Sequence, residues 1–486
     1  MAAGCGSQAG SGSSIDGGDA STQDSHKAQT DAPDNGASDT SGEDTFRVDS
    51  NVADTHAVTP VTGPCDIYSA ANAPCIAAHS TVRALFGNYS GNLYQVQRAL
   101  DNATKEIGVL SPGGFANSAD QDAFCSGTTC TISVIYDQSP MGNHLKPGPA
   151  GSAPQSGKQG NTPDLPANAT ALPLTVVGGL KVYGVLVTPG DQNTGAPGVG
   201  YRNDSPKGTA TGNKPETEYF VTSGTSNLVG GCCFDYGNAE TDNNDDGAGT
   251  MEAVYFGYNN WWGSGSGNGP WVMADLENGI WAGGGNDPQK GVSTNTPLPY
   301  PYVTAMVIGR GQASFALKGG NAQSGVLTTM YDGPRPNGYT MQLQGAIILG
   351  TGGDDSDWAG GNFYEGVMTA GNASDAADDA VQANIVAVAY GTPSTKGYIG
   401  CYTDSSARDL PYAAYSNNTT SSDDSCVSAC QSAGYKYAGA QDGNQCFCGN
   451  SYGSQGTSNN CNMACAGNSG ETCGGFWANS VYATGN

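Results

Sequence analysis

The chain has 486 residues, 74 of them glycine, and a formal net charge of -26. That field repels polyphosphate and no Lys/Arg cluster interrupts it, which excludes a nucleic-acid binder; no run of about 18 apolar residues is present, which excludes a membrane-spanning helix. The length exceeds what one ordinary core fills, and many short apolar runs broken by Gly, Asn, Asp and Ser predict two or more folded units, mostly β and turn-rich. Fifteen cysteines, several in short-spaced pairs, suit an oxidising compartment, so the protein reads as exported.

Residues 1–59 carry ten acids against Lys27 and Arg47 and almost no large apolar side chains. Such a segment cannot bury enough surface to offset its ordering entropy, and it predicts a disordered acidic leader. Ala3-Gly4-Cys5 resembles the end of a bacterial lipoprotein signal, although no charged or apolar region precedes it. Two readings stand: Cys5 as an acylated lipid anchor on a surface tether, or a spare thiol.

Residues 60–391 change to β-like runs such as "TISVIYD", "LTVVGGLKVYGVLV", "YVTAMVIG" and "GAIILG", which predict a sandwich or jelly roll. Cys65 with Cys75 and Cys125 with Cys130 are spaced for local disulfides, which leaves Cys232 and Cys233 to each other. Bonded, that adjacent pair is a rigid apolar plate suited to a sugar face; the alternative is two reduced or separately paired cysteines. "YDQSPMGNHL" reads as loop structure. His26, His56, His79 and His144 lack metal-like spacing, and two fall in the leader, so neither a metal or other cofactor nor a Ser-His-Asp triad is implied.

"DNNDDG", 242–247, fits the first half of a calcium loop, but Ala253 stands where a Glu ligand is required, so the segment reads as a turn. "GSGSGNG", 263–269, with no helix after it, reads as a flexible loop. "GPWVMADLENG", 269–279, reads as a strand on which Asp275 and Glu277 share parity and face one cleft. In "GTGGDDSDW", Asp354 and Asp355 follow a buried-looking strand and a Gly-rich turn. Two such acids answer the needs of glycosidic hydrolysis, one to protonate the leaving oxygen and one to attack or activate water. Each also has a plain alternative, Asp354 as a turn former and Asp275 and Glu277 on a solvated face.

"ADDAVQANIVAVAY", 377–390, predicts a helix with Val381, Ile385, Val386 and Val388 near one face. Residues 392–396 read as a linker. Residues 397–486 hold eight cysteines, the density of a small disulfide-stapled module whose pairing the sequence leaves open.

The segments "PCDIYSAANAPCIAAHSTVRALF", "VIYDQSPMGNHL", "CCFDYGNAET", "GPWVMADLENG", "GGNAQSGVLTTMYDG" and "GAIILGTGGDDSDWAGGNFYEGVMT" run in order through residues 64–391 and resemble the glycoside hydrolase family 54 α-L-arabinofuranosidases. The resemblance implies a β-sandwich catalytic domain and exo-acting hydrolysis of arabinoxylan or arabinan side chains with retention of configuration. Glu277 would be the nucleophile and Asp354 the acid/base, with Asp355 beside it as the rival. Asp275, Asn278 and the Gly353 backbone would hold sugar hydroxyls, the Cys232-Cys233 plate would lie under the furanose, and Trp262 or Trp261 would complete the pocket. Glu277 would be ionised and held by donors, while burial or a like charge from Asp275 or Asp355 keeps Asp354 protonated.

"GYIGCYTDSSARDL", "CVSACQSAGYKYAGAQDGNQCFCGNSYG" and "CNMACAGNSGETCGG" resemble a WSC domain, which implies a cell-wall glycan as ligand, with Tyr402, Tyr412 and Trp477 as candidate contacts. The competing reading is a non-catalytic polysaccharide-binding surface protein. Seven N-x-S/T sites, from Asn88 to Asn418, would matter in a eukaryotic secretory route.

Overall fold

A computed structural model describes residues 62–484 apart from 156–157, 160–161, 192, 285–290, 392–397 and 469–470. The expected leader with Cys5 and the expected linker therefore lie outside the described residues. Among those described, no helix is long and apolar enough to cross a membrane.

Two antiparallel sheets dominate. The first, of six strands, runs Cys75–Ser80, Glu365–Thr369, Glu216–Thr222, Val303–Gly309, Ser314–Asn321 and Thr328–Pro334. The second, of seven, runs Ile280–Trp281, Trp271–Asp275, Glu252–Gly257, Asp235–Ala239, Ala346–Leu349, Tyr201–Asn203 and Lys146–Pro147. Aromatic rings fill the space between them: Phe220 of the first meets Phe234 beside the second at 5.4 Å, and Tyr236 meets Phe363 at 5.5 Å. Central strands such as Val303–Gly309 are buried along their whole length, which is why they read as continuous apolar runs rather than alternating ones.

The helix runs Asp375–Val386, beginning two residues before the sequence placed it and ending earlier. Ser374 caps it by accepting from the Ala377 amide, and Asp375 and Asp378 sit in the first turn, where the helix dipole favours them. Lys318 Nζ bonds both acids at 2.7 Å and so fastens the helix to the six-stranded sheet. "LTVVGGLKVYGVLV" is not one run but the strands Pro173–Val176, Leu180–Tyr183 and Val185–Val187, the first two paired across a turn with Gly179 at φ 66°. "GSGSGNG" is a loop that makes specific contacts. Trp271 Nε1 donates to Ser266 O at 2.8 Å, and a Cβ at Gly265 would collide with that indole.

Residues 398–484 build a five-stranded sheet, in the order Tyr398–Thr403, Ala478–Ala483, Tyr437–Gln441, Gln445–Gly449 and Tyr412–Tyr415, with the helix Asp423–Ser432 on it. Disulfides join Cys401 to Cys461, Cys426 to Cys446, Cys430 to Cys448 and Cys465 to Cys473. Earlier in the chain, Cys65 bonds Cys75, Cys125 bonds Cys130 and Cys232 bonds Cys233.

Candidate active site

Asp275 is the last residue of the strand Trp271–Asp275, and Glu277 lies beyond it, in a turn closed by the Leu276 amide donating to Gly279 O at 3.0 Å. Glu277 and Asn278 are left-handed, at φ 55° and 54°. This corrects the expectation that strand parity aligns the two acids. A turn does it instead, with the Glu277 amide donating to Asp275 Oδ1 at 3.2 Å. Tyr339 Oη steadies the turn from outside by donating to Asn278 O at 2.8 Å, and a Cβ at Gly279 would collide with that hydroxyl. Asn278 Nδ2 donates to Asp245 Oδ1 at 2.7 Å. The "DNNDDG" turn is thus part of the site wall.

Asp354 follows the strand Ala346–Leu349 and a turn through Gly350–Gly353. The Ser356 amide donates to its Oδ1 at 3.0 Å and fixes the carboxyl. Asp355, at φ 71°, turns inward, is 1% exposed and accepts from the Gly151 amide at 3.0 Å, so only Asp354 of the pair lines the pocket. This loop is zipped to the vicinal cysteines: the Cys233 amide donates to Ser356 O at 3.0 Å and the Trp358 amide to Cys232 O at 2.9 Å.

Glu277, Asp354, Asp275, Asn278 and Gly353 come together around one pocket of about 240 Å³, lined also by the Cys232–Cys233 disulfide. Pockets for drug-sized ligands measure roughly 300–1,000 Å³, so this smaller space suits a single sugar ring. Cys233 Sγ lies 3.2 Å from Asp275 Oδ2, and Ser356 Oγ lies 3.4 Å from Cys232 Sγ. Both tryptophans line the pocket, in different ways. Trp262 is half-buried and packs on the apolar cluster around Cys233, whereas Trp261 is 62% exposed and meets Trp262 edge-on at 5.7 Å.

Burial pushes the Asp354 carboxyl up, and Asp245 adds a like charge, against hydrogen bonds from Ser356 that pull it down. Asp245 is thus a further source of like charge, beside the mutual repulsion of Asp354 with Asp275 and with Asp355, the sources expected. Burial pushes Glu277 up to about 11, with Glu240, Asp275, Asp354 and Asp245 adding to it. Asp275 is pushed up to about 7, again chiefly by burial. Several acids in one enclosed space cannot all ionise. Burial and these like charges thus weigh against ionisation at Glu277, which the sequence reading takes as ionised and held by donors.

Sequence reasoning missed Glu240, Asp235, Asp245, Ser356 and Trp358. Glu240 and Asp235 stood inside the quoted "CCFDYGNAET", but nothing in that string says that the strand Asp235–Ala239 runs close to the Glu277 turn. His79 is buried with Nε2 2.8 Å from Asn143 O and Nδ1 3.0 Å from Tyr236 Oη. "YDQSPMGNHL" winds around Asp137, which accepts from the amides of Ala78, Ser139 and Asn143. In the C-terminal unit, Tyr402 meets Tyr452 edge-on at 4.9 Å, Tyr412 stacks on Tyr435 at 5.0 Å, and the Arg408 guanidinium sits 4.8 Å from the Trp477 ring.

A ring-sized pocket on a β-sandwich, with Asp245, Asp275, Glu277 and Asp354 at its wall, offers the pair of carboxyls that glycosidic hydrolysis requires. The family described as "Alpha-L-arabinofuranosidase B, catalytic" matches residues 64–391, and the WSC domain family matches residues 398–475. The chain belongs to the α-L-arabinofuranosidase B catalytic family and carries a WSC domain. It is 53% identical over 337 residues to a probable α-L-arabinofuranosidase B of Aspergillus fumigatus, covering 69% of this chain and 63% of that protein. It is 52% identical over 339 residues to an α-L-arabinofuranosidase of Hypocrea jecorina, covering 69% and 64%. The chain thus spans just under two thirds of the length of the curated relatives it matches. Among solved structures it is similar to a Glu→Gln variant of a family 54 α-L-arabinofuranosidase soaked with 4-nitrophenyl α-L-arabinofuranoside, with TM-score 0.63, 44% identity and coverage of 74% and 73%. It is also similar to an arabinofuranosidase complexed with arabinofuranosyl-α-1,2-xylobiose, with TM-score 0.63, 43% identity and coverage of 76% of each chain.

Proposed function

We propose that the protein is an exo-acting, retaining α-L-arabinofuranosidase that removes terminal arabinofuranosyl residues from arabinoxylan or arabinan side chains. The observation that carries this reading is the convergence of Glu277 and Asp354 on one ring-sized pocket lined by the Cys232–Cys233 disulfide. Glu277, as carboxylate, attacks the anomeric carbon while Asp354 gives its proton to the departing glycosidic oxygen. The positive charge developing on the sugar favours ionised Glu277, against the burial and like charges that oppose its ionisation. A glycosyl ester forms. Asp354, now a carboxylate, takes a proton from water; the water oxygen bonds to the anomeric carbon, the ester bond breaks, and Glu277 leaves as carboxylate.

Asp275, Asn278 and the Gly353 backbone orient the sugar hydroxyls, and the disulfide plate and Trp262 contact its apolar faces. Residues 60–391 form the catalytic domain, 392–396 the linker and 397–486 the WSC module, which holds a cell-wall glycan through exposed aromatics such as Tyr412 and Trp477. Seven disulfides among the described residues support an extracellular or cell-surface location. Cys5 as a lipid anchor rests on Ala3-Gly4-Cys5 alone. Release of nitrophenol from 4-nitrophenyl α-L-arabinofuranoside, lost in Glu277→Gln, tests the reading; no release by the wild type leaves the non-catalytic binder in its place.

A further inference from the structure

Glu240 lies one residue beyond the strand Asp235–Ala239 and is fully buried, outside the pocket lining. Its Oε1 accepts from the Thr250 hydroxyl, while Oε2 has no hydrogen-bond partner among the described residues. Its backbone oxygen accepts from Arg202 Nη2, and the same guanidinium donates through Nη1 to Gly353 O at 3.0 Å. A Cβ at Gly353 would collide with Glu240 Oε2 and meet Glu277 Oε2 at 3.0 Å. The two carboxyls therefore face the same methyl-sized space, inside the roughly 4–6 Å over which a like charge disfavours ionisation.

We propose that Glu240 is a positioning residue for the hydrolysis: it competes with Glu277 for the negative charge that the enclosed acid cluster carries, and so sets the pH at which the nucleophile becomes competent. This rests on the arabinofuranosidase reading above. Asp245, Asp275 and Asp354 also face Glu277, Asp235 stands behind Asp275, Tyr339 borders the turn, and Arg202 is the cation beside Glu240. Charge on Glu240 leaves Glu277 holding its proton and unable to attack. A neutral Glu240 frees the charge for Glu277. Burial pushes Glu240 up to about 7, within the range where the choice is made, and Glu240 is the foremost like charge acting on Glu277.

The test uses the full chain and 4-nitrophenyl α-L-arabinofuranoside, with reactions quenched in alkali and kcat/KM followed against pH. Nitrophenol leaves with little help from Asp354, so the acid limb reports ionisation at Glu277. Glu240→Gln preserves the size of the side chain and its acceptor for Thr250 while removing the rival charge; the acid limb is expected to move down by about one pH unit or more. Thr250→Val removes a donor that stabilises Glu240 as carboxylate, and moves the limb the same way by less. An unmoved limb in Glu240→Gln, or a uniform loss of rate at every pH, overturns the proposal. If that variant does not fold, an unmoved limb in Thr250→Val overturns it. No release by the wild type overturns this proposal together with the enzymatic reading, whereas release by the wild type with unmoved limbs overturns this one alone.

Discussion

The interior of the sandwich and the interior of the C-terminal unit solve the same problem by different means. Between its two large sheets the sandwich has aromatic and aliphatic bulk, and within that bulk it holds charge. Arg83 grips Glu365 through Nε and Nη2 at 2.6 and 2.7 Å, with Tyr390 donating to the same carboxylate, and Arg335 grips Glu252 at 2.7 and 3.0 Å. The C-terminal unit has little such bulk. Its larger core cluster is Cys426, Cys430, Cys446, Cys448, Cys465 and Cys473 with a few small or aromatic neighbours, beside a small apolar one of Leu410, Phe447 and Val481, and two disulfides pin its helix to the strand Gln445–Gly449. A unit too small to bury enough apolar surface is stapled, whereas a large core tolerates the unpaired acids that a catalytic pocket needs.

That contrast can be broken at several points. The largest effect is expected at the pocket: Glu277→Gln lowers turnover on the order of 10⁵-fold, the scale on which loss of a covalent nucleophile acts. Its unfolding midpoint in urea stays at or above that of the wild type, because the variant removes a buried acid crowded by four others. A lowered midpoint would show that the acid cluster has a structural role. Next comes the sandwich interior. Arg83→Met strands Glu365 without its cation and is expected to cost about 3–5 kcal/mol in denaturant unfolding, while trimming both partners to apolar residues costs far less.

In the C-terminal unit, Cys401→Ser with Cys461→Ser opens a 60-residue loop and is expected to remove about 2–4 kcal/mol. Limited proteolysis would then cut that unit first, with nitrophenol release intact; loss of both together would show that the two regions unfold as one. The smallest effect concerns pH. Asp275, Asp355 and Glu240 keep their protons up to about 7 in the folded sandwich, against one such acid, Asp423, in the C-terminal unit. In the unfolded chain these acids release protons near 4. Stability from them is thus fully present below about 4 and is lost as pH rises towards 7. Differential scanning calorimetry is expected to show a higher melting temperature at pH 5 than at pH 8, with the larger change in the sandwich transition.

Much of the fold was legible. Strands such as Val303–Gly309 and Ala346–Leu349 and the helix Asp375–Val386 stood out because apolar periodicity and cap residues are local signals. The contacts of the "GSGSGNG" loop were not legible, since they are made with Trp271 and Asn295, which the glycines themselves do not reveal. Within the site, Glu277 and Asp354 were singled out by motif, yet the reason assigned to Glu277 was wrong in kind. A left-handed turn, favoured at Asn but not at Glu, carries it, and the hold on that turn comes from Tyr339, some sixty residues away.

The order of residues alone determined the chemical vocabulary: acids in glycine-flanked turns, vicinal cysteines, apolar runs and a cysteine-dense end. These are properties of neighbours along the chain, and neighbours are what a sequence records. Which acids share one enclosed space, that Asp355 turns away from it while Asp245 joins it, and that Glu240 borders Glu277 across a missing Cβ were decided by tertiary structure. Proton allocation depends on burial and on charges a few ångströms away, and folding alone sets both.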